Sequence, residues 1–400
     1  MSHASPKPHL AAALAALLVA GIALTAGLVW CRNIESRYVE ALSRDLSEAK
    51  LQGVALQRAA FSQPDLLVLY GSSELVRDDI PNTAAQFFED YPTGFRVFPV
   101  GKGGTAALST LQKLAAVGKE LAGRKVAISI SPSYFFEETV DPTYYEGNFS
   151  ALQAGELTFS DSLSFSLKRA IARRMLAYPS TLDDHWLLQR TLARLARGTT
   201  LDHALYYLAL PLGRLQNAVG RAQDHFEATL HILDQPKLAE SPEKRRRVLN
   251  WRQTLRRAHV IAKGVAAKAK KSTLPRRPHG SFDTTWLARV NKATEWTDYG
   301  LLLRTLQELG ARPLMLSMPV HGEDLEQVGV SPKARAAYPQ RIQQLSARYS
   351  TPLVYFHEHE DDPWFFHDHF DHLGAKGWVY YNKMLDDFYH ERPLTSSPNL

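Results

Sequence analysis

The chain has 400 residues, 45% of them apolar, and a formal net charge of +6. That length and apolar content suffice for a buried core and exclude a wholly disordered chain, while the single cysteine, Cys31, excludes an intramolecular disulfide and a cysteine-based zinc site. The charge is uneven: thirteen Lys and Arg with no acid lie between Lys244 and Arg277, which leaves the rest of the chain net acidic. Only Trp251 interrupts that stretch. Nucleic-acid binding would need stacking aromatics or a DNA-reading motif there, so no nucleic acid is expected. A solvated helix face, or a surface for an anionic membrane or polyanionic glycan, remains.

The first element is an uncharged run over residues 10–31, preceded by Lys7, ending at Trp30 and Cys31, and followed by Arg32. At helical rise it spans about 30 Å, the thickness of a bilayer core. A cleaved signal peptide, cut near Ala26, competes with an uncleaved anchor; the run is long for a signal peptide and its small-x-small signature is poor, which favours the anchor. Short amino-terminal tails usually stay inside, so the bulk of the chain is expected outside. Residues 37–61 then read as one amphipathic helix, with Leu42, Leu46, Leu51 and Leu56 near helical spacing.

Beyond it the texture changes. Leu66–Tyr70 is a short continuous apolar run ending at Gly71, which suits a fully buried parallel strand. Similar runs occur at 95–100, 126–130, 313–317 and 352–355, with helical patterns between them at 106–121 and 299–309. Strands alternating with helices predict a parallel α/β sheet. The third and fourth runs are too far apart for an ordinary loop. Residues 149–296 are helical in pattern, notably over 164–195 and the basic 244–271, and residues 275–281 read as the loop that ends the basic helix. The expected organisation is therefore a tail and anchor over 1–35, a first part of the α/β domain over 36–148, a mainly helical basic insertion over 149–296, and a second part of the α/β domain over 297–400.

In open α/β sheets ligands bind at the carboxyl ends of strands, which directs attention to the residues just beyond each run. After the first comes Gly71-Ser72-Ser73-Glu74. Taken alone this is a turn in which Ser72 or Ser73 could simply cap a helix, although a hydroxyl here also stands where a nucleophile would. After the second comes Gly101-Lys102-Gly103-Gly104-Thr105. Glycines at a helix start expose amides that can stabilise an oxyanion, and equally make a plain tight turn; neither the Walker pattern nor the dinucleotide fingerprint is present. The third run closes with Ser131-Pro132-Ser133, where proline ends the strand and could aim Ser133 at the same edge. Near the end lies His367-Asp368-His369-Phe370-Asp371-His372-Leu373-Gly374, then Lys376-Gly377-Trp378. This cluster suits a metal site, to which His357 or His359 could contribute, or a base with its orienting carboxylate. A serine early and a carboxylate with histidine late is the chain order of a nucleophile with a distant base.

On these residues the sequence resembles the DltD family of D-alanyl-lipoteichoic acid biosynthesis proteins, within the wider SGNH-hydrolase-like group. The resemblance adds Asn148-Phe149-Ser150 with Gln153, and Met318-Pro319-Val320 with Gly322, in order along the chain. It implies a three-layer, flavodoxin-like α/β domain with a helical insertion and a transmembrane helix. It also implies a serine acyltransferase on the outer face of a bacterial cytoplasmic membrane, needing no cofactor or metal. That enzyme would work beside a membrane-bound O-acyltransferase of the DltB type, indirectly with an acyl carrier system, and on an anionic or polysaccharide envelope polymer. Carried onto this chain, Ser73 is the nucleophile and His372 the base, with amides at Ser73 and Gly103 or Gly104 as oxyanion donors. The group's aspartate position, three before the histidine, is His369 here, so Asp368 becomes the orienting carboxylate and Asp371 the reserve. Ser133 stands near the position of the group's missing asparagine donor. An esterase or thioesterase, or a non-catalytic membrane scaffold, is the alternative.

Overall fold

The computed structural model describes residues 7–77, 79–235, 248–266, 274–367 and 372–394. The chain opens with helix α1 (Lys7–Tyr38), whose apolar first part is exposed: Leu17 is 69% and Val19 66% accessible. Among the described residues it is the single helix long and apolar enough to cross a membrane, a property shared by anchors and signal sequences. The 37–61 segment is not one helix. After a 3-10 turn at Val39–Leu42 the path breaks, resumes briefly at Glu48–Leu51, and ends in α2 (Ala55–Ser62). The break has a local cause. Lys50, fully buried, donates its ammonium hydrogens to the carbonyls of Leu42, Ser43 and Asp45, so those carbonyls bond a side chain and the helix cannot continue through them.

The body alternates strands and helices as the apolar runs predict. In chain order come β1 (Leu66–Tyr70), α3 (Ala84–Asp90), β2 (Arg96–Val100), α4 (Ala107–Val117) and β3 (Lys125–Ile130). A helical stretch comes next: α5 (Pro142–Asn148), α6 (Ala151–Phe159), α7 (Phe165–Met175), α8 (Trp186–Arg197), the long α9 (Thr200–Leu233), α10 (Trp251–Ala266), α11 (Asp283–Lys292) and α12 (Glu295–Glu308). The sheet then resumes with β4 (Arg312–Ser317), α13 (Ala337–Arg348), β5 (Leu353–Tyr355) and α14 (Ala375–Tyr389).

All five strands are parallel, in the order β2-β1-β3-β4-β5. That is the flavodoxin-like order, whose direction of winding reverses between β1 and β3. Alternate residues of each strand face opposite layers. Val68, Tyr70, Val126 and Ile128 pack with α2, α4 and α12, whereas Leu67, Leu69, Ala127 and Leu316 pack with Phe87, Phe88, Trp378 and Tyr381 of α3 and α14. Burial on both faces is why the strands read as unbroken apolar runs. Helix α4 is buried along its whole length, because α6 and α12 cover the side that the sheet does not.

Candidate active site

Ser73 and His372, 299 positions apart, meet at the carboxyl edge of the sheet: Ser73 Oγ lies 2.9 Å from His372 Nε2. Both side chains are half-buried. Ser73 opens a 3-10 turn (Ser73–Val76) directly beyond β1, and neither serine caps a helix in the way a bare turn would allow. Ser72 Oγ instead lies 2.8 Å from the Tyr134 hydroxyl beyond β3, bridging the two strand ends between which the winding reverses. Beneath them Glu74, 1% exposed, folds back so that its Oε1 accepts the Ser72 amide at 2.9 Å. Gly71 is required by that return, since a Cβ there would collide with the Glu74 carboxylate. The Gly-Ser-Ser-Glu sequence is thus a turn held by its own last residue.

The glycine loop after β2 lies against this turn. Gly71 N donates to Val100 O at 3.3 Å, and a Cβ on Gly101 would collide with the Gly71 carbonyl, so the two backbones touch. Gly104 has φ +82, a conformation that favours glycine, and the Tyr144 side chain stands 3.0 Å from where its Cβ would be. Asn148 fixes the loop from behind: its Nδ2 donates to Gly103 O at 3.2 Å and Tyr144 O at 2.9 Å, and its Oδ1 accepts from Thr105 Oγ1 at 2.7 Å. Tyr134 and Tyr144 pack edge to face, 6.1 Å apart, forming an aromatic wall beside the loop.

His372 is held by a short backbone return. His367 N donates to His372 O at 2.9 Å, Gly374 N donates to Phe365 O at 2.8 Å, and Phe366 bridges Leu373 in antiparallel fashion. Gly374 and Gly377 let α14 begin close against residues 365 and 366: a Cβ would come within 2.7 Å of Phe366 O at the first and 2.5 Å of Phe365 O at the second. Lys376 reaches Asp362, which also receives the His359 ring and the Trp364 amide. Burial opposes ionisation of Asp362, but hydrogen bonds from His359 and Lys376 outweigh it and bring the carboxyl down to about 2. An exposed chain of charge borders the site, with Arg77 donating to Asp79 at 2.9 Å and His367 Nε2 3.3 Å from the same carboxylate.

Other expected residues fall differently. Asp368 and Asp371, the two candidate orienting carboxylates, lie outside the described residues, as does His369. Ser133 Oγ pairs with Ser131 Oγ at 2.7 Å, and it is Tyr134, one residue on, that reaches the Ser72–Ser73 turn. His357 is 71% exposed at its side chain, and His359 stacks on Phe365 at 4.4 Å. Among the described residues no three His, Cys, Asp or Glu side chains gather as a metal site would require. Sequence reasoning gave no role to Tyr134, Glu74, Asn148 or Asp362. A Glu directly after the serines was the one local signal, since a carboxylate can return to cap its own turn. The basic α10 packs on α14, where Lys383 approaches the Trp251 ring, and Trp251 also stacks on Phe87 of α3 at 5.6 Å, while His259 and Lys263, further along, approach Trp364. Its carboxyl end therefore points toward the loop that leads into His372.

Fold and site together define a parallel α/β protein with a serine–histidine pair at the carboxyl edge, beside the point where the sheet's winding reverses. The chain belongs to the DltD family: the sequence model for that family, described as DltD protein, matches residues 43–390. It is similar to Protein DltD of Bacillus subtilis (strain 168), 26% identical over 396 residues that cover 96% of this chain and 97% of that protein. Protein DltD of Staphylococcus aureus (strain NCTC 8325 / PS 47) is 22% identical, covering 88% of each chain.

Proposed function

We propose that this protein is a membrane-anchored serine acyltransferase of the DltD type, which passes a D-alanyl or similar acyl group through an acyl-serine to a hydroxyl of an envelope polymer. The observation that carries this reading is the 2.9 Å contact between Ser73 Oγ and His372 Nε2, at the edge where parallel sheets place their chemistry. In the first step His372 Nε2 takes the Ser73 proton as Oγ forms a bond to the acyl carbonyl carbon. The tetrahedral oxyanion is stabilised by amides at Ser73 and at Gly103 or Gly104, and collapses as the leaving group departs with the proton from His372. In the second step an acceptor hydroxyl gives its proton to His372 and attacks the acyl-serine carbonyl, and the intermediate collapses to product ester as His372 returns that proton to Ser73 Oγ. Asp368, with Asp371 in reserve, is assigned to hold the imidazole in the required tautomer.

The sheet-bearing segments 36–148 and 297–400 carry this chemistry, and the helical segment 149–296 covers one face and supplies the basic α10. Because α10 ends toward the His372 loop, its positive charge is placed to draw an anionic polymer to that edge. Retention of α1 as an anchor is supported by its far end being built into the body: Cys31 is fully buried and Glu35 2% exposed. The main domain then lies outside the cytoplasmic membrane, beside the membrane-bound O-acyltransferase that delivers the acyl group.

The test uses the full chain and a fluorophosphonate probe. Wild-type protein is expected to label and Ser73→Ala not to, with unchanged thermal unfolding; a site that serves only as a scaffold would label in neither. Supplying an acyl donor with and without a polymeric acceptor then separates the chemistries, since ester that depends on acceptor means transfer and free acid in both arms means an esterase. Acyl transfer surviving in Ser73→Ala would overturn the mechanism.

A further inference from the structure

Helix α9 carries its apolar side chains outward. Leu208, Leu212, Leu215, Val219, Phe226 and Leu230 are between 37% and 76% exposed, and at 3.6 residues per turn they fall within an arc of about 60°. The opposite side of the same helix is the one packed on the body, through the buried Tyr206, Asn217, Asp224 and Ala228. A stripe of large aliphatic residues along a long helix is far beyond the scattered apolar exposure of a water-bathed surface.

The position of α9 relative to α1 says what covers it. The Phe226 ring lies 3.4 Å from where a Cβ on Gly27 would be, and His225 Nδ1 lies 2.8 Å from the buried Glu35 carboxylate. Adjacent residues of α9 thus meet residues of α1 that are about 12 Å apart along its axis, so the two helices cross instead of running side by side. The crossing point has a depth. Gly27 lies inside the uncharged run that ends at Cys31, about 6 Å below its end, and an interfacial helix sinks its apolar face about 5–10 Å. Phe226 is therefore already at hydrocarbon level if α1 spans the membrane. Trp186, 61% exposed, begins the neighbouring helix α8 and is the residue type enriched at that boundary.

We propose that α9 lies in the membrane interface, with its Leu208–Leu230 stripe dipped into the lipid on the side where the body emerges, so that the protein is held by one spanning helix and one lying helix. The inference rests on α1 being a retained anchor. It is tested with full-length chain in nanodiscs of phosphatidylethanolamine and phosphatidylglycerol, in a Cys31→Ala background. A fluorophore is placed at Leu212→Cys or Leu230→Cys, with Leu17→Cys in α1 as the lipid control and Lys333→Cys as the aqueous control. Doxyl-labelled lipid is expected to quench the probes at 212, 230 and 17 several-fold more than aqueous iodide does, with the reverse at 333. Lipid quenching at 17 with iodide quenching at 212 and 230 overturns the inference and leaves the anchor standing. No lipid quenching at 17 removes the anchor and the inference with it. Probes at 212 and 230 that are shielded in native membranes but open to iodide in lipid-only discs would make the stripe a protein-docking surface, which also overturns it.

Discussion

The carboxyl edge of the sheet and the outer face of α9 obey opposite arrangements. At the edge, polar groups are matched to one another across touching backbones: Glu74 to the Ser72 amide, Asn148 to the Gly103 carbonyl, Ser73 to His372. On α9, apolar side chains from Leu208 to Leu230 face outward and largely exposed, with Phe226 meeting α1 at Gly27, and it is their spacing on the helix that is regular. The difference teaches that the two regions are constrained by different things. The edge depends on atomic distances and has no room for a Cβ at Gly71 or Gly101, whereas the α9 face depends on residue class and tolerates many exchanges of one apolar side chain for another.

Removing the imidazole partner of Ser73 tests the edge most severely. For His372→Ala the transfer rate is expected to fall about 10³-fold or more, measured under single-turnover conditions, with the melting temperature little changed. A smaller loss would mean that the 2.9 Å contact is not where the rate is made. Adding one carbon is the next test: Gly101→Ala drives a methyl into the Gly71 carbonyl, and should cost about 1–3 kcal/mol in denaturant unfolding while slowing fluorophosphonate labelling of Ser73. Equal labelling rates would show the two loops to be looser than their contact implies.

Acid sharpens the same side of the comparison. The folded pKa of Asp362 is depressed, so its hydrogen bonds contribute stability that is fully present above the ordinary value of 3.8 and lost as pH falls toward about 2. Asp362→Asn should therefore shift the midpoint of acid unfolding upward, and the stability difference between the two proteins should shrink toward zero as pH falls to about 2. The smallest effect belongs to α9. Leu212→Gln should change the stability of detergent-solubilised protein by no more than about 0.5 kcal/mol, because an exposed side chain contributes little to packing. A loss of several kcal/mol would place Leu212 in a protein core and erase the contrast.

Much of the sheet was legible in the sequence because strands buried on both faces must be continuously apolar, and Leu66–Tyr70 begins and ends where that run does. The Ser73 and His372 motifs were legible as strand-end sequences, but their meeting depends on strand order, which no local pattern encodes. Tyr134 illustrates the limit: its bridge to Ser72 exists only because β1 and β3 are neighbours, and a tyrosine after Ser-Pro-Ser carries no sign of that. The supposed single helix over 37–61 failed for a different reason. Its leucines keep helical spacing across the break, while the buried Lys50 ammonium that takes the carbonyls at the break looks in sequence like an ordinary surface lysine. The outward stripe of α9 was illegible as such, because a core-facing and a lipid-facing helix share one periodicity and differ only in what lies opposite.

The wide separation of the paired side chains has a consequence during synthesis. At roughly 5–20 residues per second, a growing chain carries its serine for about 15–60 s before the partner histidine has even been polymerised. Until then the hydroxyl is an ordinary alcohol without its partner imidazole, and it acquires one only when the last strand and final helix close over the first. Appearance of the contact thus times the completion of the whole sheet, and a nascent or truncated chain carries the serine without its histidine.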